Sequence, residues 1–536
     1  MVPTPRAVIL LKTQGLPLSR VSDVPSIVRA MDIQPAPAAT SSTAIERIAE
    51  RLLEYAVPHA DEALVPAVAI GFVTRNGLVA TRFIGSNQAG EPVDADTAFE
   101  IGSATKSMLG VTEAAMVDRG RMEWNDRVIE HFPTFTMPDP WVTREFRIVD
   151  LLAQRSGLPE YAAELPNEFG LPWRTGVDAL QHVTTVSSFR SEFAYQNMPH
   201  FVAGEIVAEK LEVESWAAAV QQIIFDPLRM QTSATDSNAL ARFKNSTRGH
   251  TVRDGKLRER PLEEFPAIAE GAGAVVSNVA DMARWLAFHL NDGVGPEGPL
   301  LSPDQLHETY RPRIAVSGHF AAAMQHGTSR PEIGYATGWF VHALPEGRVI
   351  EHGGNTEGYN SAVAFDPDRG LGVVVLSNQG HHGGIASHLG KYAMDLIQGR
   401  DPVDYVRRAT RQREEQEATA REVLQKVAGT AHPINWYTGE FEHPVLGRVS
   451  FDTDTDTDTD TDIDRDRLSA KLGTPAVDAV ATRLAGSTFE IRWYQSGDPE
   501  LTEHKSTLVF EGDGSSKGGE RATRFTLKNF IFTRTR

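Results

Sequence analysis

Two β-rich runs, 67–73 and 78–84, flank Arg75-Asn76-Gly77, and this pair constrains the fold of the chain more than any other feature. Asn-Gly between two such runs is a strong hairpin signal. Comparable runs next return at 339–343, 348–351, 361–365 and 372–376. The stretch between them is helical in pattern: Met108, Leu109, Val111 and Met116 share one periodicity, and 201–210 and 281–290 carry others. A helix with Ile45, Ile48, Leu52, Leu53 and Ala56 precedes the hairpin, and one near 384–397 follows the last strand. Two strands, a helical middle, more strands and a closing helix predict an α+β fold. An antiparallel sheet is flanked by helices and carries an inserted helical subdomain, over residues 43–400.

Residues 1–42 read as an extension ending in a linker rich in proline and small residues. Arg407, Arg408, Arg411, Arg413, Glu414, Glu415 and Glu417 mark 401–428 as a charged linking helix. Short β-like runs at 436–442, 447–451, 467–472, 488–493, 506–510 and 524–533 then predict an all-β barrel domain over 429–536. An Asp-Thr repeat at 452–462 interrupts it. An EF-hand loop starting at Asp452 needs glycine sixth and glutamate twelfth, where Thr457 and Ile463 stand, so the repeat reads as a solvated expansion of a β-turn.

A net charge of −18 argues against nucleic acid as a partner. The absence of cysteine excludes disulfides and thiolate chemistry. No apolar run reaches the roughly 20 residues of a membrane span. The cytosol is the default location; Arg6, Lys12, Ser19, Arg20 and Ser22, all ahead of the first acidic residue, Asp23, leave an organelle transit segment as the alternative.

Ser103-Ala104-Thr105-Lys106 carries the chemistry. Serine and lysine three apart share a helix face, which sets an amine beside a hydroxyl at the positive end of the dipole. Tyr195, in Tyr195-Gln196-Asn197, is a candidate proton carrier, able to act as base beside a lysine. The Asn197 amide can bond both the lysine and the substrate. In Glu351-His352-Gly353-Gly354-Asn355, a strand ending in small residues lets substrate lie on the sheet edge. The N–H groups of Asn355 and Ser103 are the candidate oxyanion donors. A second His-Gly-Gly at 382–384 precedes a helix rather than ending a strand, so His352 and Gly354 are preferred. Ser103 is preceded by Ile101-Gly102 rather than by glycine-x, so it does not fit the G-x-S-x-G elbow, and no histidines show H-E-x-x-H spacing. No cofactor and no metal are expected.

The order S-x-x-K, Y-x-N, H-x-G resembles the serine β-lactamase and penicillin-binding protein superfamily. It most resembles the class C β-lactamase branch, which includes esterases, D-aminopeptidases and carboxypeptidases. The stretches 151–159, 224–230 and 271–277 are similar to that family too, and the tail resembles the lipocalin-like domain of some of its peptidases. The resemblance implies Ser103 as acylated nucleophile, Lys106 as general base or its partner, and Tyr195 in proton transfer. It implies Asn197 and His352 on the substrate, with Ser103 and Asn355 as oxyanion hole. Where β-lactamases usually carry lysine, this chain has His352, which is mostly neutral at pH 7 and weakens carboxylate recognition. The expected activity is that of a serine hydrolase on an ester or amide of a small molecule or short peptide. An acyltransferase using the same acyl-enzyme and a catalytically silent scaffold are the alternatives.

Overall fold

The computed structural model describes residues 41–536 apart from 170, 236–237, 254, 261–269, 328–331, 381–383, 428–430, 454–466, 474–476, 495–502, 513–520 and 536. Residues 1–40 of the extension, most of the Asp-Thr repeat, and residues 382–383 of the second histidine motif lie outside these residues.

The chain opens with α1 (Ser42–Glu62), capped by the Ser41 hydroxyl, which accepts from the Ala44 N–H. The strands β1 (Ala67–Thr74) and β2 (Gly77–Gly85) form the expected hairpin. The main sheet is completed by β3 (Ile314–Ala315), β4 (Glu332–Tyr335), β5 (Phe340–Leu344), β6 (Gly347–Asn355), β7 (Asn360–Asp366) and β8 (Leu371–Ser377). Its eight strands run in the order β2-β1-β8-β7-β6-β5-β4-β3, antiparallel throughout. The N-terminal hairpin is thus zipped to the last strand, Gly71 facing Val374. Because β7 and β8 are buried on both faces, they read as continuous apolar runs rather than alternating ones.

One face of the sheet is covered by α1 and by α6 (Ile385–Ile397), which share a core with Val68, Ile70, Val373 and Val375. The other face packs on a helical layer built from α2 (Thr105–Asp118), the short α3 (Leu165–Glu168), α4 (Met198–Leu211) and α5 (Val279–Leu290). This is the β-lactamase/transpeptidase-like architecture. The edge strand β3 and its neighbour β4 had no sequence signal: two and four residues are too few to show an alternation.

After α7 (Tyr405–Val427), the chain forms a closed barrel. Its strands are β9 (Gly439–His443), β10 (Gly447–Thr453), β11 (Arg467–Leu472), β12 (Val477–Ala485), β13 (Thr488–Tyr494), β14 (Glu503–Glu511), β15 (Arg524–Leu527) and β16 (Phe530–Arg534). Each pairs with the next, and β9 closes on β16. Phe441, Phe451, Phe489, Phe510, Phe525 and Phe532 pack edge-on and stacked inside, so side chains fill the interior. Two strands escaped sequence reading. The alanine-rich β12 lacks a run of β-branched and aromatic residues, and the run 524–533 is two strands joined by a turn at Lys528, whose φ is 51°. Among the described residues no helix is long and apolar enough to cross a membrane.

Candidate active site

Ser103 stands on a 3-10 turn, Gly102–Ala104, that runs into α2. The turn is forced up against the end of β6. Gly102 has φ 52°, and a β-carbon there would lie 2.8 Å from the Asn355 nitrogen. At Gly354 a β-carbon would lie 1.8 Å from the Ile101 carbonyl oxygen, so only glycine admits this approach. Ser361 fastens the two segments by donating its hydroxyl to the Ile101 carbonyl at 2.6 Å. The turn carrying Ser103 and the Gly354–Asn355 backbone are thereby neighbours.

Lys106 is fully buried one helical turn from Ser103. Its Nζ is 3.0 Å from Ser103 Oγ, 2.6 Å from Asn197 Oδ1 and 2.7 Å from the Ala272 carbonyl. Burial lowers its pKa to about 7, against the opposing pull of the Glu164 carboxylate. Near neutrality the amine is therefore free to accept the serine proton while still donating to Asn197 and Ala272. The segment that supplies Ala272 is locked in turn, the Val275 N–H donating to Thr105 Oγ1 at 3.2 Å and the Ile101 N–H to the Val275 carbonyl at 2.9 Å.

Tyr195 and Asn197 lie on the loop that leads into α4, with Asn197 at its N-cap. Gln154 holds this stretch by reciprocal bonds: its Nε2 donates to the Gln196 carbonyl at 3.0 Å and its Oε1 accepts from the Gln196 N–H at 2.6 Å. Ser156 Oγ donates to the Gln196 side chain at 3.0 Å. The segment 151–159 is thus the clamp for the Tyr195 stretch. The Tyr195 side chain lies beside Ser103, and the centre of its ring is 5.0 Å from Lys106 Nζ. Burial holds the phenol well above its ordinary range. A phenolate base is thereby disfavoured, and the buried hydroxyl is better suited to donating and relaying a proton.

His352 is buried on β6. Its Nδ1 lies 2.6 Å from the Gly353 carbonyl and its Nε2 3.1 Å from the Tyr335 hydroxyl. Nδ1 therefore donates and Nε2 accepts, the neutral tautomer. Burial, with Lys106 adding, lowers its pKa to about 3.

Glu164 was not anticipated. It begins α3 and accepts from Asn197 Nδ2 at 2.8 Å, so Asn197 bridges it to Lys106. Burial and the neighbouring Glu168 raise its pKa to about 7. No motif marks it; a lone glutamate in a loop-like segment carries no sequence signal. The barrel meets the catalytic domain at the same segment. Lys528, at the β15–β16 turn, bonds Glu168. Asn529 Nδ2 donates to the Glu160 carbonyl at 3.4 Å, and Trp493 packs edge-on against Phe169.

One further cluster has metal-ligand chemistry. Nε2 of His326 and of His342 lie 3.0 and 2.8 Å from one Glu351 oxygen, all three side chains being buried. On β6, Glu351 shares the sheet face of Val349, which packs with α1 and α6, and points away from the face of His352. Lys391 is nearby with its pKa lowered to about 8, chiefly by burial. The two imidazoles hold the carboxylate well below its ordinary range despite burial, so its oxygen is already engaged by groups of this chain.

A sequence model of the beta-lactamase family matches residues 46–398. The chain belongs to the beta-lactamase family. Among curated relatives, an unguisins hydrolase from Aspergillus campestris is 24% identical over 386 residues, covering 67% of this chain and 69% of that protein. Protein flp of Staphylococcus aureus is 23% identical over 322 residues, covering 59% and 60%. Among solved structures, an octameric penicillin-binding protein homologue from Pyrococcus abyssi aligns with TM-score 0.57 at 18% identity, over 90% of this chain and 99% of that one. A D-stereospecific amidohydrolase from Streptomyces sp. aligns with TM-score 0.53 at 18% identity, over 65% and 97%. These two similarities concern the fold.

Proposed function

We propose that the protein is a serine hydrolase that forms an acyl-enzyme on Ser103 and cleaves an ester or amide. The observation that carries this reading is the 3.0 Å approach of the buried Lys106 amine to the Ser103 hydroxyl, with a pKa of about 7. The neutral amine takes the serine proton as Oγ attacks the carbonyl carbon. The negative charge that develops on the carbonyl oxygen is met by the N–H groups of Ser103 and Asn355. Tyr195 relays the proton held by Lys106 to the leaving alcohol or amine, which returns Lys106 to its neutral form; water then attacks the acyl carbon with Lys106 again as base, and that proton goes back to Ser103 Oγ as the acid is released. A neutral His352 offers no cation to a substrate carboxylate, which favours uncharged esters and amides over β-lactam carboxylates. The hydrolase and amidohydrolase names of the relatives agree with this class.

The test is labelling with a fluorophosphonate followed by peptide mass spectrometry, with turnover of p-nitrophenyl esters, D-aminoacyl amides and a chromogenic cephalosporin. The expected result is one adduct, on Ser103, with ester or amide turnover that Ser103→Ala abolishes. A folded protein with no adduct on Ser103 sinks the reading. Release of acyl product onto an added amine or alcohol in preference to water identifies an acyltransferase instead.

A further inference from the structure

We propose that Glu164 is a positioning residue: it fixes which end of the Asn197 amide faces Lys106. The role rests on the acyl-enzyme reading above. An asparagine side chain has one acceptor end and one donor end, and rotating it exchanges them. Lys106 needs the acceptor, because its Nζ must donate to Asn197 while it receives the serine proton. With the amide reversed, donor would face donor. Glu164 prevents this. Its carboxylate accepts from Asn197 Nδ2 at 2.8 Å, which turns Oδ1 onto Lys106 at 2.6 Å. Above its pKa of about 7 Glu164 is ionised, and a bond from an amide to an ionised carboxylate is stronger than one between neutral partners, so the orientation is held most firmly there.

The charged and titratable groups around Glu164 come from several elements: Lys106 of α2, Glu168 of α3, Lys528 of the barrel, and the Tyr161 and Tyr195 hydroxyls. Lys528 bonds Glu168, with His504 Nδ1 at 3.7 Å from the same side chain. Glu168 therefore has its own partners, and the Glu164 carboxylate is left to Asn197. A continuous line runs from the barrel hairpin through α3, Asn197 and Lys106 to Ser103. The Glu164 charge also favours the protonated form of Lys106, so removing it makes the amine available at lower pH.

The test compares Glu164→Gln and Glu164→Leu in the full chain, with a p-nitrophenyl ester as substrate. Glutamine keeps an oxygen for Asn197 Nδ2; leucine keeps none. The expected result is a loss of kcat of about ten- to hundredfold in Glu164→Leu and only a few-fold in Glu164→Gln. The acid limb of kcat/KM moves to lower pH in both. Parental kcat and acid limb in Glu164→Leu overturn the proposal. So do equal losses in the two variants with the acid limb unmoved, which is the mark of a merely structural residue. If Glu164→Leu does not fold, the acid limb of the near-isosteric Glu164→Gln decides. Fluorophosphonate labelling of Ser103 in the parent judges the acyl-enzyme reading separately. A crystal structure of either folded variant judges the positioning without turnover: in Glu164→Leu, Asn197 turned off Lys106 supports it and an unchanged amide overturns it.

Discussion

Gly354 and Ile101 meet with no room for a side chain: a β-carbon on Gly354 would stand 1.8 Å from the Ile101 carbonyl oxygen. Because Ile101 leads directly into the turn of Ser103, Gly354→Ala has to push that turn away from Asn355. The expected outcome is a fall in kcat of about 10²-fold with the fold retained, read by steady-state kinetics and circular dichroism. Parental kcat in a folded variant would show that the two segments need not touch for turnover.

Lys106 serves as base only when it is neutral, and its pKa is about 7. Activity should therefore rise with pH through that value and level off above it, rather than peaking under mildly acid conditions. Lys106→Arg, always charged, is expected to lose at least about 10³-fold. A flat kcat/KM profile across the neutral range would remove Lys106 from the proton path.

Lys528 neutralises Glu168 and lies near enough to lower the pKa of Glu164. Lys528→Glu places a third carboxylate beside these two. We expect kcat to fall about three- to tenfold while KM for a short ester stays within about twofold, since the effect passes through Glu164 rather than through substrate contacts. Kinetics on short and long substrates check this; a change confined to KM for long substrates would make the hairpin a steric barrier only.

Glu113 is fully buried on α2, with no hydrogen-bond partner for either oxygen among the described residues, and burial raises its pKa well above 4.5. The folded state keeps the proton that the unfolded state releases. The penalty is absent below about pH 4 and grows as pH rises towards the folded pKa. Glu113→Met should stabilise the protein by about 1–3 kcal/mol at neutral pH, and the gain should shrink as the pH falls to the ordinary carboxyl range. Thermal melts at the two pH values check it; a gain independent of pH would mean that the carboxyl is not the cause.

What the chain disclosed by reading alone follows from the reach of each signal. The hairpin, α2, α4, α5 and α6 are written in local periodicity, and Ser103 and Lys106 in one helical turn. Glu164 depends on where α3 lies against Asn197, a contact between residues 33 positions apart with no repeated spacing. The neutral state of His352 was legible from its type, but its depth, with Tyr335 and Gly353 satisfying both ring nitrogens, is a property of the folded sheet. The phenol of Tyr195 reads as a base beside a lysine, whereas its burial among Tyr161, Phe320 and Tyr335 acts the other way.

The zipping of β1 onto β8 has a consequence for how the chain comes into being. Ile101 and its anchor Ser361 are 260 positions apart, and Gly71 waits still longer for Val374. At about 5–20 residues per second, the growing chain leaves the β8-facing edge of the apolar β1 unpaired for tens of seconds before that partner is made. Ser103 can be translated early but is assembled late. A nascent chain of this design is inert until almost the whole sheet has left the ribosome, and its unpaired strand is the part most in need of protection meanwhile.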